Sequence, residues 1–154
     1  MILEKNRNGS EAMDPKLKDA LFNAVKKEPF AQALKMTLVE LDRGYSVVEM
    51  KYDSDRMNNI YEHAHGGALF GLIDEAFETA CQTEGTIAVA LNMNVTYVAS
   101  PKAGARLRAE ARRISQTKKT ASFDIKVSDE TGSLIASCSA LAYRTGKPIP
   151  FYNP

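Results

Sequence analysis

The sequence has few of the residues that build disulfide frameworks or metal cages. It contains no tryptophan and two cysteines, Cys81 and Cys138, in 154 residues. Two thiols without a CxxC pair cannot form a disulfide framework or a four-cysteine zinc site. We therefore expect both cysteines to fill the core of a protein kept in a reducing compartment, the cytoplasm.

Long apolar runs and an excess of one charge are also missing. No stretch approaches the roughly 20 apolar residues of a membrane-spanning helix, and the first residues lack the apolar centre of a signal peptide. Twenty Lys and Arg against nineteen Asp and Glu leave a formal charge of +1. A protein that binds the phosphate backbone normally has a strong basic excess. We expect neither a membrane nor a nucleic acid as partner.

Length and composition indicate one globular domain, with 44% hydrophobic and 25% charged residues. We predict a disordered segment over residues 1–13, a single domain over 14–146 and a C-terminal tail over 147–154. After Asp14-Pro15, a helix cap followed by a first-turn proline, the apolar spacing predicts a helix. Two strands joined by a turn at 42–44, and a polar loop over 53–62, should follow.

The second half of the chain predicts one long helix and four strands. Residues 66 to about 84 are too apolar for a surface helix, and Gly85 suits its C-terminal end. Strands are expected over 86–100, 105–115, 121–128 and 133–145, and short turns should make them antiparallel neighbours. The fold class is therefore α+β, an antiparallel sheet wrapped around one central helix. Six strands alone would not hide so apolar a helix, so we expect a partner subunit.

Two features of the long helix could carry chemistry. Asp74 lies at the edge of the apolar face, where a half-buried acid without a base nearby should titrate abnormally. Alternatively, it simply reaches solvent beside Glu75 and Glu78. Gly66 and Gly67 place free N–H groups at the positive end of the helix dipole, which suits a developing oxyanion. Their other reading is a tight turn into the helix.

Other catalytic or metal sites find little support. His63 and His65 are the only histidines, and no third ligand stands at a recognisable spacing. We expect no metal. A serine hydrolase is disfavoured because the chain has no Gly-x-Ser-x-Gly motif.

Together these residues resemble a known family. His65-Gly66-Gly67, with Asp74 nine residues after the histidine and Asn59 six before it, resembles the hotdog-fold acyl-CoA thioesterases, and most closely their PaaI-like branch, related to the 4-hydroxybenzoyl-CoA thioesterases. The stretches 92–101 and 131–136 agree, and the resemblance covers roughly residues 36–144.

The resemblance implies a dimer whose sheets join edge to edge, in many members paired into a tetramer, with active sites at the subunit interface. Gly66 would donate its N–H to the thioester carbonyl, flanked by Gly67, and Asn59 would position the thioester or water. Asp74 of the opposite subunit would act as general base or nucleophile. His65 would orient the loop. No cofactor is implied, since coenzyme A is part of the substrate.

The chain departs from the family pattern at two positions. Glu78 stands one turn after Asp74, where the family often has Ser or Thr, and it would raise the pKa of Asp74 if both face the pocket. Ala90 replaces a hydroxyl residue of some relatives. Both departures bear on how the attacking water is held.

Gly67 and Glu78 are expected to contact the substrate beside the catalytic residues, and further residues are candidates for holding the rest of it. Arg112, Arg113, Lys118 and Lys119 could bind the phosphates of coenzyme A, although a solvated strand face explains them equally well. Phe70, Phe77 and Met93 could shape the acyl pocket or simply belong to the core.

We predict hydrolysis of an acyl-CoA thioester to a free acid and coenzyme A. The alternative is a non-catalytic domain that binds acyl-CoA as a sensor or scaffold. A binder has no need of a carboxylate next to the thioester, so Asp74 discriminates between the two.

Overall fold

The computed structural model describes residues 12–154. Its helices are α1 (Pro15–Lys27), α2 (Pro29–Ala33), α3 (Ser54–Met57) and α4 (Gly66–Cys81), and its strands are β1 (Thr37–Asp42), β2 (Tyr45–Lys51), β3 (Thr86–Tyr97), β4 (Arg106–Gln116), β5 (Thr120–Ser128) and β6 (Leu134–Pro148). Within this range, no helix is both long and apolar enough to cross a membrane.

The six strands form one antiparallel sheet around α4, as predicted. The strand order is β1-β2-β4-β5-β6-β3, and α4 contacts every strand. Leu72, Ile73, Ala76 and Phe77 of α4 are almost completely buried against the inner face of the sheet. The Phe77 ring meets Phe123 of β5 edge to face, with ring centroids 5.3 Å apart. Burial of this helix face gives the fold its core.

The predicted pairing of β3 with β4 is wrong. β3 and β4 follow each other in the chain but do not pair, because β3 lies beside β6 at one end of the sheet and β4 lies between β2 and β5. Their connection spans residues 98–105 and includes more than the tight turn at 101–104. Eight extended residues are long enough to cross the ends of the intervening strands, which lie about 5 Å apart.

A second difference lies in the segment predicted as a polar loop. Residues 53–62 include α3, one helical turn capped by Asp53, whose side chain accepts a 3.2 Å hydrogen bond from Asp55 N–H. Met57 at the end of this turn is buried in the core. The apolar anchor, together with the cap, accounts for a helix where the composition suggested a loop.

The two ends of the described chain meet. Residues 1–11 of the segment predicted to be disordered lie outside the described residues, and Met13 is buried in the core. β6 continues to Pro148, Ile149 beyond it is buried, and the Tyr152 hydroxyl donates a hydrogen bond to Asp14.

Candidate active site

The N-terminus of α4 presents one unpartnered backbone donor. His65 is the N-cap residue, and its Nδ1 accepts a 2.9 Å hydrogen bond from Gly67 N–H. The carbonyl oxygen of His65 accepts from Ala68 N–H at 3.0 Å. Gly66 N–H has no hydrogen-bond partner in the described part of the chain. Because the first N–H groups of a helix also carry its positive dipole end, Gly66 is well placed to stabilise an anion.

Tyr97 lies directly over Gly66. Its hydroxyl donates a 3.1 Å hydrogen bond to the Gly66 carbonyl oxygen, and a Cβ on Gly66 would lie 3.1 Å from the tyrosine ring. Together with His63, Leu69 and Ser100, the two residues line a cavity of about 360 Å³. Only glycine at position 66 leaves this approach open. Sequence analysis missed this role of Tyr97, since no local signal marks a contact 31 residues away.

Asn59 organises the loop that leads to this cavity. Its side-chain oxygen accepts hydrogen bonds from Tyr61 N–H at 2.9 Å and His63 N–H at 3.1 Å. Its own N–H donates to the carbonyl of His63 at 2.7 Å. The Asn59 side-chain oxygen is thus engaged in the loop, and the side-chain NH₂ group is what remains for a ligand.

Asp74 lies in a second cavity, two turns further along α4. It is half-buried and forms no ion pair or hydrogen bond with the described residues. Burial raises the pKa of its carboxyl above the ordinary value. The cavity, of about 260 Å³, is lined by Asp74, Phe77, Glu78, Cys81 and residues 88–90 of β3. A half-buried carboxylate without a counter-ion is a typical general base or nucleophile.

The acidic neighbours of Asp74 differ in their surroundings. Glu78 lines the cavity of Asp74, and the partial desolvation of its carboxyl there, together with the charges of Glu28 and Asp74, raises its pKa. Glu75 is only 2% exposed. Thr79, which follows Glu78, is buried and bonds to Ser46 Oγ at 2.9 Å and to the carbonyl of Glu75 at 2.8 Å. Its hydroxyl therefore serves the packing of α4 on β2.

The two cavities flank opposite ends of β3. Gly66 and Asp74 are eight residues apart on α4, so their Cα atoms are separated by about 12 Å. Along β3, Ala90 in one cavity and Tyr97 in the other are about 23 Å apart. The Gly66 N–H and the Asp74 carboxylate of one chain therefore cannot both reach a single carbonyl group.

β3 is an edge strand with an exposed apolar surface. It pairs only with β6, so its other edge has no neighbour among the described residues. Val89, Leu91 and Tyr97 are 48%, 57% and 50% exposed, as is Val98 just beyond the strand at 53%. A long exposed apolar edge strand is a template for pairing with another chain.

The four basic candidates lie at the other end of the sheet from Gly66. Arg113 pairs with Glu84 at 2.7 Å, and its side chain is only 21% exposed. Arg112 pairs with Glu110 at 2.5 Å and lies over the Tyr45 ring. The Lys119 ammonium lies 5.7 Å from the centre of the Tyr143 ring. Lys118 is exposed and has no recorded partner in the described chain.

The remaining candidate residues differ in how deeply they are buried. Phe77 is buried in the core and lines the Asp74 cavity, Phe70 is 36% exposed, and Met93 is partly buried against the core. Ala90 lines the Asp74 cavity. Cys138 is buried and Cys81 half-buried, both as free thiols, and burial raises the pKa of each. Neither thiol is activated as a nucleophile.

The histidines take no part in a metal-ligating group. Within residues 12–154, one group of three potential ligands has its atoms within 4.8 Å of one another, and it consists of Glu28, Glu75 and Glu78. His65 instead caps α4 through Nδ1, and His63 lines the Gly66 cavity.

Comparison with known proteins identifies the family of the chain. The family model of the thioesterase superfamily matches residues 61–136. Acyl-coenzyme A thioesterase PaaI of Escherichia coli is 32% identical over 77% of this chain and 84% of its own length. Human acyl-coenzyme A thioesterase 13 is 30% identical over 81% of this chain and 91% of its own.

Solved structures give the same result. The structure of E. coli PaaI superposes with a TM-score of 0.82 at 30% identity, covering 87% of this chain and 96% of that one. The structure of smu.793 from Streptococcus mutans, bound to acetyl CoA, has a TM-score of 0.70 at 26% identity, covering 74% of this chain and 91% of its own. The predicted hotdog fold is thereby confirmed, and the chain belongs to the thioesterase superfamily.

Proposed function

We propose that this protein hydrolyses an acyl-CoA thioester to a free acid and coenzyme A, in an active site shared between two subunits. One observation carries the proposal. An unpartnered N–H at Gly66 and a half-buried carboxylate at Asp74 lie in separate cavities, at opposite ends of the exposed edge of β3.

A two-fold dimer would complete both sites at once. If the β3 edges of two chains pair antiparallel about a two-fold axis, the end of each strand meets the start of the other. The Gly66 cavity of one chain then faces the partner's Asp74. The same pairing covers the exposed apolar residues Val89, Leu91 and Tyr97. Pairing of such dimers into a tetramer would extend this arrangement.

The helix end would stabilise the charge that develops on the thioester. Attack on the carbonyl carbon places negative charge on its oxygen, and Gly66 N–H would donate to that oxygen. The dipole of the 16-residue helix α4 adds to the stabilisation. The free NH₂ group of Asn59 would hold the thioester or water beside it. His65, by capping Gly67, keeps the first turn rigid.

The partner's Asp74 would deliver the oxygen. As a general base it takes a proton from water while the water oxygen bonds to the carbonyl carbon. The C–S bond then breaks, and the proton passes to the departing thiolate, giving the acid and coenzyme A. As a nucleophile, the carboxylate would form a mixed anhydride that water hydrolyses. Burial raises the pKa of Asp74 and so increases its basicity in either role.

The same arrangement indicates where the other parts of the substrate would bind. The acyl group would lie in the apolar cavity beside Phe77, and the step needs no metal or cofactor. The acetyl CoA bound to smu.793 supports coenzyme A as the carrier. Among the basic residues, Lys118 is the candidate for the phosphates that is exposed and has no recorded partner. The two free cysteines favour a reducing location such as the cytoplasm.

Release of free thiol from a panel of aryl- and alkyl-CoA thioesters tests the proposal. We expect turnover by the wild type and a loss of about 1,000-fold or more in kcat for Asp74→Asn, which keeps the shape of the side chain. Asp55→Asn, at an exposed acid on α3, is the matched control and should leave kcat unchanged. Light scattering must show both variants in the same oligomeric state as the wild type.

Two results would contradict the proposal. Equal turnover in wild type and Asp74→Asn would mean that another group performs the reaction. No turnover on any substrate, with the esters still binding in calorimetry, would favour the non-catalytic acyl-CoA-binding domain.

A further inference from the structure

A cluster of three carboxyl groups joins the first two helices to α4. Glu28 lies between α1 and α2, and Glu75 and Glu78 lie three residues apart on α4. One carboxylate oxygen from each falls within 4.8 Å of the other two. None of the three forms an ion pair with a described lysine, arginine or histidine. Like charges held this close without a counter-charge destabilise a fold.

Glu75 is the most unusual member of the cluster. Its side chain is 98% buried, and Oε1 has no hydrogen-bond partner among the described residues. Burial, followed by the charges of Glu28 and Glu78 and a side-chain hydrogen bond with Glu28, raises its pKa to about 8, so Oε1 alone is left without a partner. A buried polar atom normally has a partner, so this oxygen indicates a group that the protein chain itself does not supply.

Glu28 provides a separate indication. It occupies the N-cap position of α2, where a side chain usually bonds to the helix N–H groups, yet it makes no capping hydrogen bond. Its carboxylate instead meets Glu75 and Glu78 across the gap between helices. The cluster therefore brings together acidic groups from two separate parts of the chain, and the Glu28 side chain leaves the N-terminus of α2 without a capping hydrogen bond.

We propose that Glu28, Glu75 and Glu78 bind a hard divalent cation, of the class of Mg²⁺, Mn²⁺ and Ca²⁺, which fastens the α1–α2 junction to α4. Three carboxylate oxygens are the ligands that these ions prefer. Two oxygens bound to one Ca²⁺ at about 2.3–2.6 Å are at most about 5 Å apart, and the carboxylate oxygens of the cluster lie within 4.8 Å of one another. The shorter bonds of Mg²⁺, about 2.0–2.1 Å, would draw them closer.

The surroundings leave room for the remaining ligands. Glu28 and Glu78 line a cavity of about 490 Å³ between α1, α4 and the end of the chain. Water from this cavity could complete the coordination, as is usual for Mg²⁺ and Ca²⁺. One of the proposed ligands, Glu78, also lines the Asp74 cavity, but the ion would not touch the reacting atoms. Its binding can therefore be measured without reference to thioester hydrolysis.

Calorimetry on the full chain, stripped with EDTA and titrated with MgCl₂, MnCl₂ or CaCl₂ at pH 8.5, tests the site. We expect saturable binding of one ion per chain for at least one of these cations, with a rise in thermal midpoint. Glu75→Gln and Glu28→Gln should each weaken binding on the order of tenfold or more. Asp19→Asn, at an exposed acid on α1, is the matched control and should bind like the wild type.

Two results would overturn the proposal. The first is no saturable binding of any of the three cations up to about 10 mM, roughly tenfold above the Kd at the weak end of protein calcium sites. The second is binding by Glu75→Gln and Glu28→Gln with wild-type affinity. Because Glu28 is only half-buried, its variant keeps the test decisive should Glu75→Gln fail to fold.

Discussion

The Tyr97 hydroxyl, at the end of β3, donates a hydrogen bond of 3.1 Å to the carbonyl oxygen of Gly66, the first residue of α4. The contact joins the edge strand to the helix end that holds the unpartnered N–H. It fixes the peptide group on one side of Gly66 while leaving the donor on the other side free. The orientation of that donor therefore depends on where β3 lies.

Removal of the Tyr97 hydroxyl should make the orientation of Gly66 N–H less well defined without removing that N–H. For Tyr97→Phe we expect kcat/KM to fall roughly threefold to tenfold, because the ring stays and one hydrogen bond, about 1 kcal/mol, is lost. Steady-state kinetics and circular dichroism would measure this. Tyr61→Phe, at an exposed tyrosine whose hydroxyl has no recorded partner, is the control. An unchanged kcat/KM in Tyr97→Phe would mean that Gly66 is positioned by the helix alone.

Proline at position 66 should delete the oxyanion donor and also bring a Cβ to 3.1 Å from the Tyr97 ring. Proline lacks the N–H, is tolerated at the first position of a helix, and follows His65, whose φ of −67° and ψ of 129° suit a pre-proline residue. We expect kcat to fall about 100-fold. Gly66→Ala keeps the N–H and introduces the same Cβ near Tyr97, so it should lose much less. Equal losses in the two variants would assign the effect to steric pressure on Tyr97.

Mixed dimers should reveal whether two chains share a site. A dimer of one Asp74→Asn chain and one Gly66→Pro chain would keep one intact site and one doubly defective site. We expect roughly half of the wild-type activity from purified mixed dimers, although each variant alone is nearly inactive. Dual affinity tags allow the mixed dimer to be isolated. Inactive mixed dimers would show that each site is built within one chain.

Glu84 should make stability depend on pH below neutrality. Burial opposes its ionisation, but hydrogen bonds from Arg113 and Gln116 and the charges of Arg113 and Arg144 outweigh it, so its pKa is lowered. Because the pKa of Glu84 is lower in the folded state, its ionisation stabilises the protein at pH values above its unfolded pKa of about 4.3. This stabilisation is lost as the pH falls through the lower, folded pKa.

Denaturant unfolding of Glu84→Gln between pH 3 and pH 7 would measure the effect. We expect the variant to lose about 2 kcal/mol at pH 7, because Arg113 and Arg144 keep their charges without a partner, and the difference should shrink toward pH 3. Glu62→Gln, at an exposed acid, is the control. A difference that is independent of pH would indicate a packing effect.

Lys118 offers the cleanest test of phosphate recognition. Lys118→Ala should raise the KM for acyl-CoA severalfold with kcat unchanged, because a uniform binding contact is removed. The same variant should be indistinguishable from wild type with acyl-pantetheine, which lacks the nucleotide. Arg113→Ala is less informative, since that side chain holds Glu84 and its removal disturbs the fold. An effect of Lys118→Ala on both substrates would argue against a phosphate contact.

The sequence predicted the central helix and the half-burial of Asp74 because both follow from local spacing. An apolar run that begins at Gly66 has few alternatives to a buried helix. Its predicted end was wrong, because the helix stops at Cys81 with Gln82 as its C-cap, before Gly85. The alternative reading, in which Asp74 reaches solvent beside Glu75, did not foresee that Glu75 is only 2% exposed, since the spacing within α4 does not show what packs against it. The sequence also did not predict that β3 and β4 fail to pair with each other, because strand order depends on contacts between distant segments. The pairing of Arg113 with Glu84 likewise joins residues 29 positions apart.

The position of β3 at the edge of the sheet also sets an order of events during synthesis. β3 has one sheet neighbour, β6, which runs to Pro148, so the strand leaves the ribosome long before it has anything to pair with. The surface that we propose for dimer formation exists only once β6 has been made and folded against it. Association through the β3 edge should therefore follow folding of the whole domain, and until β6 is made both edges of β3 are open to unwanted pairing.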